Sequence, residues 1–367
     1  MKIKKPHLFY FIISILLYNT ISVYSQNIHY PNITIKKEIN INVKAFNFPI
    51  ASNKEIIVTL PNDQYLVKRQ INNSLKVYIY RVDRNGKEEL IHEGKRIGYF
   101  SFSKISNRLC FSEGKNFIVK DINTGENFVI PRIVNGNARD FANISPSGKQ
   151  IVFDERKMKR TKDQTINSYS IIVRDLETTV EKKVANGAFA KWSPAGNLIL
   201  FSRSEGSRGN WTGYIWVVKP DGSYLHKLSS SKYMGGWPVQ WSRDGKYILD
   251  KDRKGDLHIV DVLQDNAVVL PTNRLAQTSP AFFRGYISET WSPDSKFILV
   301  NVTLESNPDE TIIGRERYLI SRDGTKIIKI TGFPKKVKDM RWYNDSTLIF
   351  RDSRGNWAKT NIGRIIK

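Results

Sequence analysis

Apolar and polar residues alternate along this chain in short runs broken by turn residues, and no stretch carries the spacing of a long amphipathic helix. Ser170–Leu176 (SIIVRDL), Tyr214–Val218 (YIWVV) and Asp256–Val262 (DLHIVDV) read as strands. Turn signals such as Asn123-Thr124-Gly125, Pro220-Asp221-Gly222 and Arg322-Asp323-Gly324 follow strands of this kind. A short last strand comes next, for example Leu225–Leu228 or Ile327–Ile330. The pattern predicts an all-β chain.

One segment recurs. Trp192-Ser193-Pro194-Ala195-Gly196-Asn197 precedes the apolar run Leu198–Phe201, and Trp241-Ser242-Arg243-Asp244-Gly245-Lys246 precedes Tyr247–Leu249. Trp291-Ser292-Pro293-Asp294-Ser295-Lys296 precedes Phe297–Val300, and Ile144-Ser145-Pro146-Ser147-Gly148-Lys149 precedes Gln150–Phe153. Weaker copies begin at Phe102 and Trp342, and a degenerate one at Leu60, so that a copy starts every 42 to 51 residues. A period of this length marks a propeller or a solenoid. Within each copy proline presets φ at the second turn position, aspartate caps the turn backbone, and glycine accepts a positive φ. The preceding Trp or Phe ends an inner strand and can pack between neighbouring sheets. A lone four-stranded sheet cannot bury both faces. Stacking such sheets radially does so and leaves only short edges.

The expected fold is therefore a seven-bladed β-propeller of four antiparallel strands per blade. Six blades is the alternative. Seven is preferred because the copy at Leu60 has a good downstream strand, Lys76–Tyr80. The alternating segment Ile33–Ile41 is expected to complete the last blade, closing the ring with an N-terminal strand.

The first residues read as an address. Lys2, Lys4 and Lys5 form a basic region, Leu8–Leu17 (LFYFIISILL) an apolar one, and Val23-Tyr24-Ser25 a cleavage site, the pattern of a secretory signal peptide. The apolar run falls far short of the ~20 residues that span a membrane. The domain plan is a signal peptide over 1–25 and one propeller over 26–367, with a periplasmic or secreted mature chain that has no transmembrane segment.

Composition changes this picture little. The formal net charge of +23 permits contact with polyanions, but the charge is spread over the sequence, and export argues against a nucleic-acid partner. Neither a GxxxxGK[ST] nor a strand–helix GxGxxG occurs. The single cysteine, Cys110, lies in an apolar run and reads as a small buried hydrophobe, so no intramolecular disulfide forms. His29, His92, His226 and His258 are scattered over strand patterns, and neither a metal nor a cofactor is expected.

The turns at Trp192–Phe201, Trp241–Leu249 and Trp291–Val300, with their downstream strands, resemble the TolB-like propeller family, the "WD-like" repeat of exported bacterial proteins. The resemblance covers most of the chain from Leu60 onward. It implies the fold and leaves the role open. The additional N-terminal α/β domain of the family's namesake is not found here.

In a propeller of this repeat, the loops between the second and third strands and between successive blades share one face. Arg156–Gln164, Arg203–Trp211 and Glu305–Arg315 are the first kind; Ser229–Trp237 and Thr272–Tyr286 are the second. They are long and rich in Arg, Lys, Trp and Tyr, whereas blades one, two and seven have shorter loops, so the mouth is expected to be lopsided. Arg, Tyr and Trp anchor recognition surfaces, and Arg forks onto carboxylates. The candidate ligand-binding residues are Arg203, Arg208, Trp211, Tyr233, Trp237, Arg284 and Tyr286, with packing between blades as the alternative for both tryptophans.

The leading functional reading is a non-catalytic scaffold for a protein, peptide or glycan, an anionic one included. A carbohydrate-active hydrolase or lyase is the alternative, with Glu205, Asp309 and Glu310 as its loop carboxylates. A propeller lyase of pectic fragments resembles this architecture but uses clustered histidines, which are not found here. The third reading is a structural part of an envelope or secretion assembly. No GxSxG elbow points to a propeller peptidase.

Overall fold

The computed structural model describes residues 28–29, 37–41, 50–51, 53–71, 74–160, 165–207, 210–228, 239–252, 256–270, 272, 291–306, 311–334 and 337–363. The proposed signal peptide lies outside them. Among them, every regular element longer than a turn is a strand, and no helix is long and apolar enough to cross a membrane.

Seven antiparallel sheets follow one another in chain order. Blade 1 lies within 54–95, blade 2 within 97–131, blade 3 within 133–186, blade 4 within 188–227, blade 5 within 240–270, blade 6 within 297–331 and blade 7 within 337–361. Each follows a four-strand plan, a to d from the axis outward. In blade 6 the inner strand is marked by a single bridge from Trp291 to Ile298, and in blade 7 three strands fall among the described residues.

The turn between strands a and b repeats with the chemistry its sequence demands. The hydroxyls of Ser145, Ser193, Ser242 and Ser292 each accept the N–H that opens strand b, from Gln150, Leu198, Tyr247 and Phe297 at 2.9–3.1 Å. Gly148, Gly196 and Gly245 take φ values of 70–73° there, and Ser295 takes 60° in the fourth copy. The tryptophan before the turn is the inter-blade wedge. Trp192 Nε1 donates to Asn143 O of blade 3 at 3.0 Å, and Trp241 Nε1 to Lys191 O of blade 4 at 3.4 Å. These bonds join strand a to strand a around the axis.

Seven hydrophobic clusters hold the sheets together, one at each boundary. Phe117 and Ile130 of blade 2, for instance, pack on Ile151 and Phe153 of blade 3. Ile349 and Trp357 of blade 7 pack on Ile56, Tyr65 and Val67 of blade 1, so the ring closes. Each fully buried aliphatic or aromatic side chain contributes about 1.5–3 kcal/mol, and alternation on a strand sends its neighbours to the opposite boundary. Cys110 sits in the blade 2–3 cluster, and burial pushes its thiol up to about 12, as suits an inert core residue.

Closure differs from expectation. Lys37–Asn40, the described part of the segment expected to complete blade 7, pairs instead with blade 6. Lys37–Asn40 runs parallel to Ile327–Thr331 on the outer edge of blade 6, and Ile28–His29 runs parallel to Ala267–Val268 on the outer edge of blade 5. Ile41 then enters the core between blades 6 and 7 and Ile50 the core between blades 7 and 1. The described pieces of this segment form a belt on blades 5 to 7. The ring itself shuts through packing and through Trp357 Nε1, which donates to Lys54 O at 3.2 Å.

Candidate functional site

Three of the expected loops are largely strand ribbons. Gln150–Arg160 and Thr165–Asp175 of blade 3 stay in register as far as Arg160 opposite Thr165, and Ile199–Ser207 and Asn210–Val218 of blade 4 as far as Ser207 opposite Asn210. The hairpin of blade 6 likewise extends to Ser306 opposite Thr311. In blade 2 the corresponding pairing stops at Glu113 opposite Asn116 and in blade 7 at Arg351 opposite Trp357. Long ribbons thus project on one side of the ring's mouth.

The blade 3–4 boundary is the best described part of that mouth. Its apolar base contains Val152, Ile171 and Val173 of blade 3 and Ile199, Phe201 and Val218 of blade 4, with Trp216 packed against it. Because strands alternate with period two, the same faces continue outward as Arg156, Met158, Arg160 and Tyr169 on blade 3, and as Arg203, Glu205 and Tyr214 on blade 4. The apolar wall becomes a basic and aromatic cleft.

Within it the Phe201 and Trp216 rings stack at 6.5 Å, and the Arg203 guanidinium lies 4.9 Å from the centre of the Trp216 ring. Lys227 Nζ stands 4.7 Å from the Tyr214 ring and bonds Glu205 at 3.0 Å. Cations over indole and phenol faces are held by the ring quadrupole. Tyr169 is 37% and Met158 49% exposed, so the cleft is open.

Charge is segregated across blade 3. On its blade 2 side Arg139 pairs with Glu155 and Glu181 at 3.4 and 2.7 Å. On its blade 4 side no acid among the described residues pairs with Arg156, Arg160 or Arg203. Glu205, weighed as a catalytic carboxylate, is taken by Lys227; Asp309 and Glu310 lie outside the described residues.

Below the cleft, the carboxylate of Asp154 accepts backbone N–H groups of Phe189 and Ala190 in blade 4. Burial pushes its carboxyl up to about 7; these two donors pull the other way, and Asp140 adds to the rise.

Of the seven sequence candidates, Arg203 stands in the cleft. The backbone of Trp211 pairs opposite Gly206 in the blade 4 ribbon. Arg208, Tyr233, Trp237, Arg284 and Tyr286 fall outside the described residues. Alternation from the Trp192 turn reaches Arg203 and Glu205; Tyr214, Trp216 and Lys227 come beside them through the pairing registers of the third and fourth strands, which the sequence does not show. Two histidines are not alone: His92 Nε2 lies 3.1 Å from Glu113 and His258 Nε2 3.2 Å from Asp252. They belong to different blades, and no group of three His, Cys, Asp or Glu residues placed to hold a metal occurs among the described residues.

No protein-family model matches the chain, and no curated protein does. Solved structures do. An oligogalacturonate lyase in complex with manganese superposes with a TM-score of 0.61 at 12% identity, covering 91% of this chain and 100% of that one. An oligogalacturonate lyase from Vibrio parahaemolyticus gives 0.59 at 12% identity over 88% and 96% of the two chains. The β-propeller domain of Cps50 (Swd1) from Myceliophteria thermophila gives 0.54 at 11% identity over 86% and 98%. At these identities the likeness establishes the fold, and the chain is a seven-bladed β-propeller.

Proposed function

We propose that this protein is an exported, non-catalytic binding scaffold that takes an anionic ligand, an acidic glycan or an acidic peptide segment, in the cleft between blades 3 and 4. The observation that carries this reading is the Arg203–Trp216 stack, on the same boundary as Arg156 and Arg160, none of the three arginines being paired with an acid among the described residues. Arginine pairs with carboxylates bidentately, and flat aromatic faces stack on sugar rings or peptide groups.

The test is an array of acidic and neutral glycans and peptides probed with the chain lacking residues 1–25, then repeated with Arg203→Gln and Trp211→Ala. Selective capture of acidic members, lost in Arg203→Gln, supports the cleft. Equal capture of neutral and acidic members, or capture unchanged in both variants, refutes it.

The lyase likeness over the whole ring favours one second reading, a carbohydrate-active enzyme. Depolymerisation of an acidic polysaccharide by the purified protein, followed by reducing-end or unsaturated-product assays, would replace the scaffold with that enzyme.

A further inference from the structure

A cavity of about 320 Å³ opens among the inner strands of blades 7, 1 and 2, lined by Glu55, Lys68, Gly98, Tyr99, Phe100 and Arg341. That size falls at the lower end of small-molecule pockets, roughly 300–1,000 Å³.

Its wall is strained in a repeated way. Tyr99, Phe141 and Phe189 occupy the same place in blades 2, 3 and 4, each opening a bulge in the inner strand: between Gly98 and Ser101, Asp140 and Asn143, and Ala188 and Lys191. Their φ angles are 49°, 55° and 62°. The left-handed region costs a bulky side chain about 1–2 kcal/mol, a cost that glycine avoids. The chain nonetheless places a ring there three times. The rings meet edge to face, Tyr99 on Phe141 at 5.2 Å and Phe141 on Phe189 at 5.0 Å, an aromatic arc along the tunnel wall. Tyr99 ends the arc at the cavity and is 48% exposed although it sits on an innermost strand. Strain kept where glycine would serve points to function.

The cavity's charges do not cancel. Lys68 is matched by Glu55 at 2.9 Å. Among the described residues Arg341 donates one hydrogen bond, to Ile56 O at 3.0 Å, pairs with no acid, and is the surplus cation. We propose that this sector of the tunnel binds a small monocarboxylate bearing one flat apolar ring system, with the ring laid on Tyr99 and the carboxylate held by Arg341. One surplus positive charge matches a monoanion, and a phosphate dianion would leave a charge unanswered. The site is separate from the cleft between blades 3 and 4, and neither reading depends on the other.

The experiment uses 2-naphthoate as probe, with 2-naphthamide and acetate as controls, followed by calorimetry and saturation-transfer NMR on the protein lacking residues 1–25. Two variants test the place. A Cβ at Gly98 would meet only Ser112 Oγ, at 3.6 Å, so Gly98→Leu is tolerated and fills the open space. Tyr99→Gly removes the ring and relieves its backbone. Saturable binding of 2-naphthoate is expected, at least about tenfold tighter than of either control. It should vanish in both variants, while neither melts lower than the parent. No saturable binding of 2-naphthoate at about 1 mM would overturn the proposal. So would equal affinity for the amide, retained binding in a folded variant, or a clear loss of stability in Tyr99→Gly, which would make the ring a structural part.

Discussion

The carboxylate of Asp154 in blade 3 accepts the backbone N–H of Ala190 in blade 4 at 3.2 Å, and the N–H of Phe189 beside it. One buried acid thereby pins the bulge of the next blade's inner strand. Stability and the geometry of the mouth meet at this residue.

The pH dependence follows from its titration. Asp154 titrates at about 7 in the folded chain against an ordinary 3.8, so the folded state holds this proton more tightly than the unfolded chain does. The contribution is full below about pH 4 and is lost as pH rises through 7. The melting temperature should fall between about pH 4 and 7, and Asp154→Asn should flatten that fall. Thermal unfolding across the interval checks this; a melting temperature that rises equally in both proteins contradicts it.

The tryptophan wedge makes a graded prediction. Trp192 is 6% exposed and bonds Asn143 O. Trp192→Phe keeps most of the packing and loses the bond, for a cost of about 1 kcal/mol. Trp192→Ala opens the blade 3–4 core and should cost about 3–5 kcal/mol. Denaturant unfolding measures both, and equal costs would show that Trp192 is not the wedge described.

The N-terminal belt should be structural. Ile41 is 6% exposed in the blade 6–7 core, and its N–H donates to Thr331 O at 2.9 Å. Ile41→Ala should cost about 2–5 kcal/mol. Deleting 26–41 should bare the edge at Ile327–Thr331 and promote self-association, because unpaired strand edges recruit other chains. Sedimentation of the truncated chain as an unchanged monomer would contradict this.

Ligand capture by the cleft should depend on salt. Exposed charges act over about 8 Å at physiological ionic strength and over about 3 Å at 1 M. Affinity for an acidic ligand should therefore drop steeply with added salt in the parent and less in an Arg156→Gln, Arg203→Gln double variant. Identical salt slopes would place the ligand elsewhere.

The fold was legible because its signal is local and repeated. The turns after Trp192, Trp241 and Trp291 carry their own hydrogen-bond chemistry, and alternation fixes which residues face each boundary. The partner of the N-terminal strand was not legible. The outer edges of blades 5, 6 and 7 offer the same backbone groups, and nothing in Ile33–Ile41 chooses among them. The ribbon at Arg156–Arg160 read as a loop because it lacks an apolar face; its pairing continues from the core strands below. Arg203 was recognisable as a charge ending an apolar run. Trp216 and Tyr214 carry the signal of strand residues only, since an aromatic residue on a third strand is usually core. The aromatic arc gave no sequence signal, because a positive φ at Tyr99, Phe141 or Phe189 leaves no mark in composition.

The most direct measurement is a crystal structure of the protein with the tightest acidic ligand from the array. The ligand's carboxylate or sulfate should lie within hydrogen-bonding distance of Arg203, between the ribbons of blades 3 and 4. A ligand seated on the opposite face of the ring, or anywhere that leaves Arg203 on Trp216 untouched, would contradict the account.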